Sequence, residues 1–418
     1  MKPRRILYVS RISKGGVAVV LDQLARGLNK DLYETVVLFD TAQSSTIRKE
    51  LVSSDIKTIE LVKCRDLEHG KKKSKVTGKK SIATWLKSHF GQGICDIYIA
   101  LKSTSFFFSR EIPRIKLFLS IVRKNKIDIV HTHSDLCRGK PEIVAAKIAG
   151  IPCITHHHGY ANYNLFDKLF AGLVHTNIYI SKSVGEHYIV QGESRAKAKI
   201  IHNGVSLSDY TRAYDPLPVR KEFNCSPDQL LIGLVARLDW WKGHEFFIEA
   251  LAEVETKFLN IKGLIIGGLA ELNYDSSKRY LNRLHGMVKT LGLTEKIIFV
   301  DHRSDVPCLL VALDVVVHAS STPEPFGLTV IEGMAVAKPV VATAAGGVLD
   351  IIEDGVNGLL VPCKDSKAMA AAISKVLADR SAAQRMGLAA RQRVIEKFTI
   401  QRQIADMQRL YDSVLGNN

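Results

Sequence analysis

The chain has 418 residues, 46% of them hydrophobic and 24% charged, and its 58 Lys and Arg against 42 Asp and Glu leave a net charge of +16. Such a length exceeds one ordinary domain, and such a composition supports a sizeable core, which excludes a disordered or fibrous chain. The basic balance calls for an anionic partner: a phosphorylated substrate, an acidic membrane surface or nucleic acid. No apolar run approaches the roughly eighteen residues of a membrane span, and residues 1–10 lack a secretory leader pattern, so a cytoplasmic protein is expected. Seven cysteines stand singly without a C-x-x-C pair, which argues against a disulfide framework or a zinc site.

Strand-like and helix-like segments alternate almost throughout, the pattern of an α/β protein whose parallel sheets are covered by helices on both faces. In the first half, strands are predicted over 5–10, 35–39, 56–61, 128–132, 153–156, 177–181 and 199–202. The first leads through Lys14-Gly15-Gly16 into a helix over 17–28. Two glycines at such a turn let backbone N–H groups approach a phosphate closely. The turn is neither G-x-G-x-x-G nor G-x-x-x-x-G-K-[ST], which disfavours a dinucleotide dehydrogenase or a P-loop kinase.

Residues 62–81 hold eight Lys or Arg against two acids and show no period, so they read as a basic loop. Downstream lie Trp85, Phe106-Phe107-Phe108 and a helix over 113–126 with Ile115, Phe118, Leu119 and Val122 on one face. This combination fits a surface resting on anionic lipid headgroups; the alternative makes the helix face core and the lysines a solvated loop. Two histidine clusters end the next strands, His131-Thr132-His133 and His156-His157-His158-Gly159. Consecutive side chains on an extended chain point to opposite sides, and no H-E-x-x-H helix or D-x-D pair accompanies them, so no metal site is predicted. A histidine there can instead hydrogen-bond a sugar hydroxyl or a developing charge.

Alternation lapses after Asn203-Gly204 and through Tyr214-Asp215-Pro216-Leu217-Pro218, the best linker, then resumes as a second doubly wound domain. Strands are predicted over 231–236, 263–267, 297–300, 314–318 and 340–343, with helices over 244–257 and 276–291. Arg237 and Lys242-Gly243 follow the first of these strands, where a basic pair can clamp a diphosphate. Further on, Glu324-Pro325-Phe326-Gly327 runs into a helix over 328–337 that carries Glu332. Its first N–H groups lack intrahelical partners and sit at the positive end of the macrodipole, so they suit a phosphate, with Glu332 in reach of a neighbouring hydroxyl such as that of a ribose. Gly346-Gly347 offers another close backbone approach to a ligand.

Taken together, Lys14-Gly15-Gly16, the segment 152–159, Ile201-His202-Asn203-Gly204-Val205, Arg237 with Lys242-Gly243, Glu324-Pro325-Phe326-Gly327 with Glu332-Gly333-Met334-Ala335, and Gly346-Gly347 followed by Asp354-Gly355-Val356-Asn357-Gly358 resemble the retaining GT-B glycosyltransferases of family four, or group 1. The resemblance implies two Rossmann-like domains facing across a cleft: an acceptor-binding domain over 1–208, a nucleotide-sugar-binding domain over 209–398, and a helix in 399–418 crossing back to the first domain. It implies that Arg237 and Lys242 bind the donor diphosphate and meet the charge growing on the leaving group. Glu324 would bond the donor sugar, Glu332 the ribose, and the amides near Phe326, Gly327 and Leu328 the distal phosphate. Gly15 and Gly16 would line the donor site, and His158, or His157 beside it, would be the cleft histidine. Transfer would retain configuration with neither metal nor cofactor beyond a UDP- or GDP-linked sugar substrate. Trp240-Trp241, where the family has polar residues, and the basic 62–81 segment depart from its pattern.

A lipid-linked or cell-surface polysaccharide acceptor is therefore expected, with an anionic membrane surface as partner and the protein peripheral on the inner face of the cell membrane. The competing readings are another GT-B enzyme, such as a nucleotide-sugar epimerase, and a non-catalytic nucleotide-sugar binding protein. Nucleic acid is disfavoured, since no recognised binding motif accompanies the charge.

Overall fold

Arg4–Ser10 (β1) shows why the first sheet forms: Ile6 and Tyr8 face one side, Leu7 and Val9 the other, and all four are fully buried. A strand apolar on both faces belongs inside a parallel sheet with helices on each side. The computed structural model describes residues 2–10, 16–39, 56–60, 82–210, 212, 214–269 and 274–416. The chain divides into two units, Met1–Ile201 with Ile404–Asn418, and His202–Gln403.

In the first unit β1 is joined by Tyr33–Phe39 (β2), Lys57–Glu60 (β3), Ile129–Thr132 (β4), Cys153–His157 (β5), Thr176–Tyr179 (β6) and Ala198–Ile200 (β7), in the order β3-β2-β1-β4-β5-β6-β7. Ile6 and Tyr8 pack with Val20, Leu21 and Leu24 of helix Gly16–Gly27 and with Met407, Leu410 and Tyr411 of helix Ile400–Leu415. Leu7 and Val9 pack with Ile115, Phe118 and Val122 of helix Ile112–Lys124. The apolar face of that last helix is therefore core, and it is not available to lipid. Exposed apolar residues lie instead on the preceding helix Ile82–Phe106, bent at Gly91, which carries Ile94, Ile97 and Leu101, and at Phe106 and Phe108. The basic segment 62–81 lies outside the described residues.

The second unit repeats the plan with Leu230–Val235 (β8), Ile261–Ile266 (β9), Ile297–Val300 (β10), Val315–His318 (β11), Val340–Thr343 (β12) and Leu359–Val361 (β13), in the order β10-β9-β8-β11-β12-β13. All the strand pairings described are parallel. Each sheet reverses its winding once, between β1 and β4 in one and between β8 and β11 in the other. Ligands of open α/β sheets bind outside the carboxyl ends of the strands at such reversals. Among the described residues, no helix is long and apolar enough to cross a membrane.

Candidate functional site

The charged residues singled out in the sequence gather at the reversal of the second sheet. β8 leads to Arg237, whose side chain is exposed, and then to the short turn Trp240–Lys242. Gly243 ends that turn at φ 68°, and a Cβ there would collide with the carbonyl oxygen of Ala319, so only glycine lets the turn lie against the end of β11. The result brings Lys242 Nζ to 2.8 Å from Glu324 Oε2 and 3.9 Å from the centre of the Trp241 ring, an ion pair and a cation–π contact on one ammonium.

The same Glu324 oxygen accepts from Ser320 Oγ at 2.7 Å and from His318 Nε2 at 3.1 Å. Burial by itself raises this carboxyl, but Lys242 and the His318 contact outweigh it and hold Glu324 well below the usual carboxylate range. Its backbone is fixed as well: Glu324 bridges to Gly346, and the Gly347 amide donates to the Glu324 carbonyl at 2.7 Å. Gly346 has φ 72°, and a Cβ on it would strike Glu324. The two glycines predicted to admit a ligand thus admit the chain's own glutamate loop, a correction that comes from the tertiary pairing of residues 22 positions apart.

Gly327, at φ 111°, starts helix Leu328–Ala335, in which Val330 and Ile331 make the first bonds, to the Gly327 carbonyl. The Leu328 and Thr329 amides precede those bonds and carry the N-terminal dipole. Phe326 is buried, stacked on His202 at 5.8 Å and edge-on to Phe398 at 6.0 Å, so its role is to fix the loop while its backbone leads into the helix. Glu332 lies one turn on and is hydrogen-bonded to Tyr210; burial is the larger influence and pushes its carboxyl up to about 7. Glu332 is thereby set apart from Glu324 electrostatically, one carboxyl held ionised and the other able to keep its proton.

In the first unit, Gly16 opens its helix and Gly15 lies outside the described residues. The histidines alternate as an extended chain requires, but the parallel register of β4 with β5 stacks the two clusters together. His131 and His133 face His156 and His158: His133 Nδ1 lies 2.9 Å from His158 Nε2, and the His156 and His158 rings are 4.1 Å apart. His157 turns to the other side, near Thr155, Tyr188 and Glu193. Of the two candidates, His158 is the one in the four-histidine cluster; burial lowers both to about 3, which leaves them neutral.

Sequence reasoning missed His318, Ser320 and Tyr210, the partners of the two glutamates, since nothing in their spacing marks them. The histidine packing did have a signal, two runs of period two at the ends of adjacent strands.

Comparison with known proteins gives these residues a frame. The model of Glycosyltransferase Family 4 matches residues 14–209, and that of Glycosyl transferases group 1 matches residues 218–393. The chain belongs to the GT-B glycosyltransferases of group 1. The alignments generally span about half the length of the curated family relatives. A lipopolysaccharide core biosynthesis mannosyltransferase, LpcC of Rhizobium leguminosarum bv. viciae, is 29% identical over 46% of this chain and 53% of its own. The match is longer for the UDP-Gal:alpha-D-GlcNAc-diphosphoundecaprenol alpha-1,3-galactosyltransferase of Escherichia coli, 24% identical over 71% of this chain and 78% of that one. Anabaena HepE, whose crystal structure holds UDP and glucose, superposes with a TM-score of 0.74 over 98% of this chain and 99% of its own at 21% identity, a likeness of fold.

Proposed function

We propose that this family member is a retaining, metal-independent glycosyltransferase that moves a hexosyl or related unit from a UDP- or GDP-linked sugar to a lipid-linked or cell-surface glycan. The observation that carries the reading is the Lys242–Glu324 pair, 2.8 Å apart at the sheet reversal just before a helix N-terminus. Arg237, Lys242 and the amides at Gly327 and Leu328 supply positive charge to a leaving diphosphate, the place where charge grows in the transition state. Glu324, ionised and held by three donors, is suited to accept a hydroxyl of the donor sugar. Glu332 takes the ribose. The leaving phosphate departs from the face on which the acceptor hydroxyl attacks, and no side chain serves as covalent nucleophile, unlike the carboxylate of a retaining glycosidase.

The partners proposed rest on the relatives. LpcC is named for lipopolysaccharide core, the galactosyltransferase for a diphosphoundecaprenol-linked acceptor, and HepE was solved with UDP. A place on the inner face of the membrane agrees with the exposed Ile94, Ile97, Leu101, Phe106 and Phe108 and with the adjoining basic segment.

A thermal-shift screen of UDP, GDP and their sugars tests this. A true donor at a hundred times its Kd stabilises the chain by about 2.7 kcal/mol. One base class should raise Tm in the parent and much less in Arg237→Ala; if neither UDP nor GDP compounds shift the parent, the reading fails.

A further inference from the structure

We propose that His131, His133 and His156 form a binding site for a divalent transition-metal ion at the carboxyl ends of β4 and β5. The three residues are buried, at 0%, 3% and 0% exposure, and one ring nitrogen from each lies within 4.8 Å of the other two. His131 Nε2 and His156 Nδ1 are 3.3 Å apart. That is the separation of two ligands each about 2.0–2.1 Å from one tetrahedral zinc ion. His133, on the same face of the chain as His131, with their rings stacked at 4.8 Å, completes the set of three.

Two further observations point to a ligand. Buried polar atoms are almost always hydrogen-bonded, yet His133 Nε2, the nitrogen left over when Nδ1 meets His158, has no hydrogen-bond partner among the described residues. His131 is also oriented as ligating histidines are, with its other nitrogen engaged: Nδ1 lies 2.6 Å from the Tyr411 hydroxyl, which in turn lies 2.8 Å from that of Tyr8. Three imidazoles suit zinc, cobalt, nickel or copper in preference to magnesium or calcium. The motif rules miss this set because its members come from two strands, where each run alone presents only every second histidine to one side. It uses none of Arg237, Lys242 and Glu324, so its test reads metal binding and not transfer.

The test uses the full chain, stripped with chelator and then titrated with Co²⁺ alone. One equivalent should bring up the intense visible absorption of a tetrahedral cobalt site, and one equivalent of Zn²⁺ should abolish it and raise Tm. His131→Gln, His133→Gln and His156→Gln should each weaken binding at least about tenfold, as should Tyr411→Phe, which removes the orienting contact together with the hydroxyl's bond to Tyr8. His175→Gln, at an exposed position, should change nothing. The idea is overturned if the parent shows no visible band and no Zn²⁺-dependent rise in Tm, an experiment that needs no variant to fold. It is equally overturned if the His131→Gln/His156→Gln double variant binds Co²⁺ as the parent does.

Discussion

At the end of β11 an ammonium, an imidazole and a hydroxyl converge on one oxygen of Glu324, whereas at the end of β4 four imidazoles pack against one another and two tyrosines. The two sheets wind alike, so strand order does not set this chemistry. Burial does, acting on different residue types. The buried carboxylate stays charged because an ammonium pairs with it, and removing the ammonium strands the carboxylate. Buried imidazoles have a cheaper escape, since near neutral pH they simply lose their protons. One reversal is therefore built to meet a charge, and the other presents lone pairs.

The largest expected effect tests the charged side. Arg237→Ala and Lys242→Ala should each lower transfer by about 10² to 10³, the range for losing one preorganised charge partner. Their stabilities should separate: Lys242→Ala costs about 3 kcal/mol because Glu324 loses its counter-ion, while Arg237, exposed, should change unfolding by less than about 0.5 kcal/mol. Near-normal turnover in either variant breaks the comparison.

Gly346→Ala comes next, combining an unfavourable positive φ with a collision against Glu324, and should cost about 3 kcal/mol by denaturant unfolding. A variant as stable as the parent would show that the glutamate loop is not seated as described. Glu332 gives a pH signature. Below pH 4.5 folded and unfolded chains both hold its proton, and from there up to about 7 only the folded chain does. Stability contributed by this group is therefore lost as pH rises through that window and is level above it. Glu332→Gln should flatten the slope and exceed the parent at pH 8 by about 2 kcal/mol, the side chain's partial exposure allowed for. An unchanged slope would remove Glu332 as its source.

On the neutral side, Tyr411→Phe should cost about 1 kcal/mol and leave the donor KM unchanged, since it touches only hydrogen bonds of the first unit. A change in donor KM would mean that the two clusters do not act separately. The smallest effect expected is none: kcat in excess EDTA should equal that without it, because the leaving diphosphate is met by side chains and a helix end. If chelation abolishes transfer and a divalent ion restores it, that account is wrong.

How much was legible beforehand follows the length scale of the forces. β1, β2 and β8 to β12 announce themselves through apolar and β-branched runs, and Glu324 with its following helix through Pro-x-Gly. β13 is only three residues long, and the helix Ile82–Phe106 is interrupted by Gly91, so neither shows a clear period. The partners of Glu324 and Glu332 are fixed by tertiary packing, which local spacing does not encode. The role of Gly346 and Gly347 was misjudged for the same reason: close approach was readable, but what approaches was not.

Tyr411 also bears on the order in which the molecule can be made. The first unit draws Met407, Leu410 and Tyr411 into its core, yet the ribosome delivers them only after residues 202–403. At about 5–20 residues per second, roughly 200 residues take about 10–40 s. Throughout that interval the face of β1 carrying Ile6 and Tyr8 lacks its final cover, and by its end the second unit has all of its sequence in hand. Vectorial synthesis should therefore leave the earlier-born unit the later to finish, and a nascent chain truncated before residue 404 should expose that apolar face to chaperones.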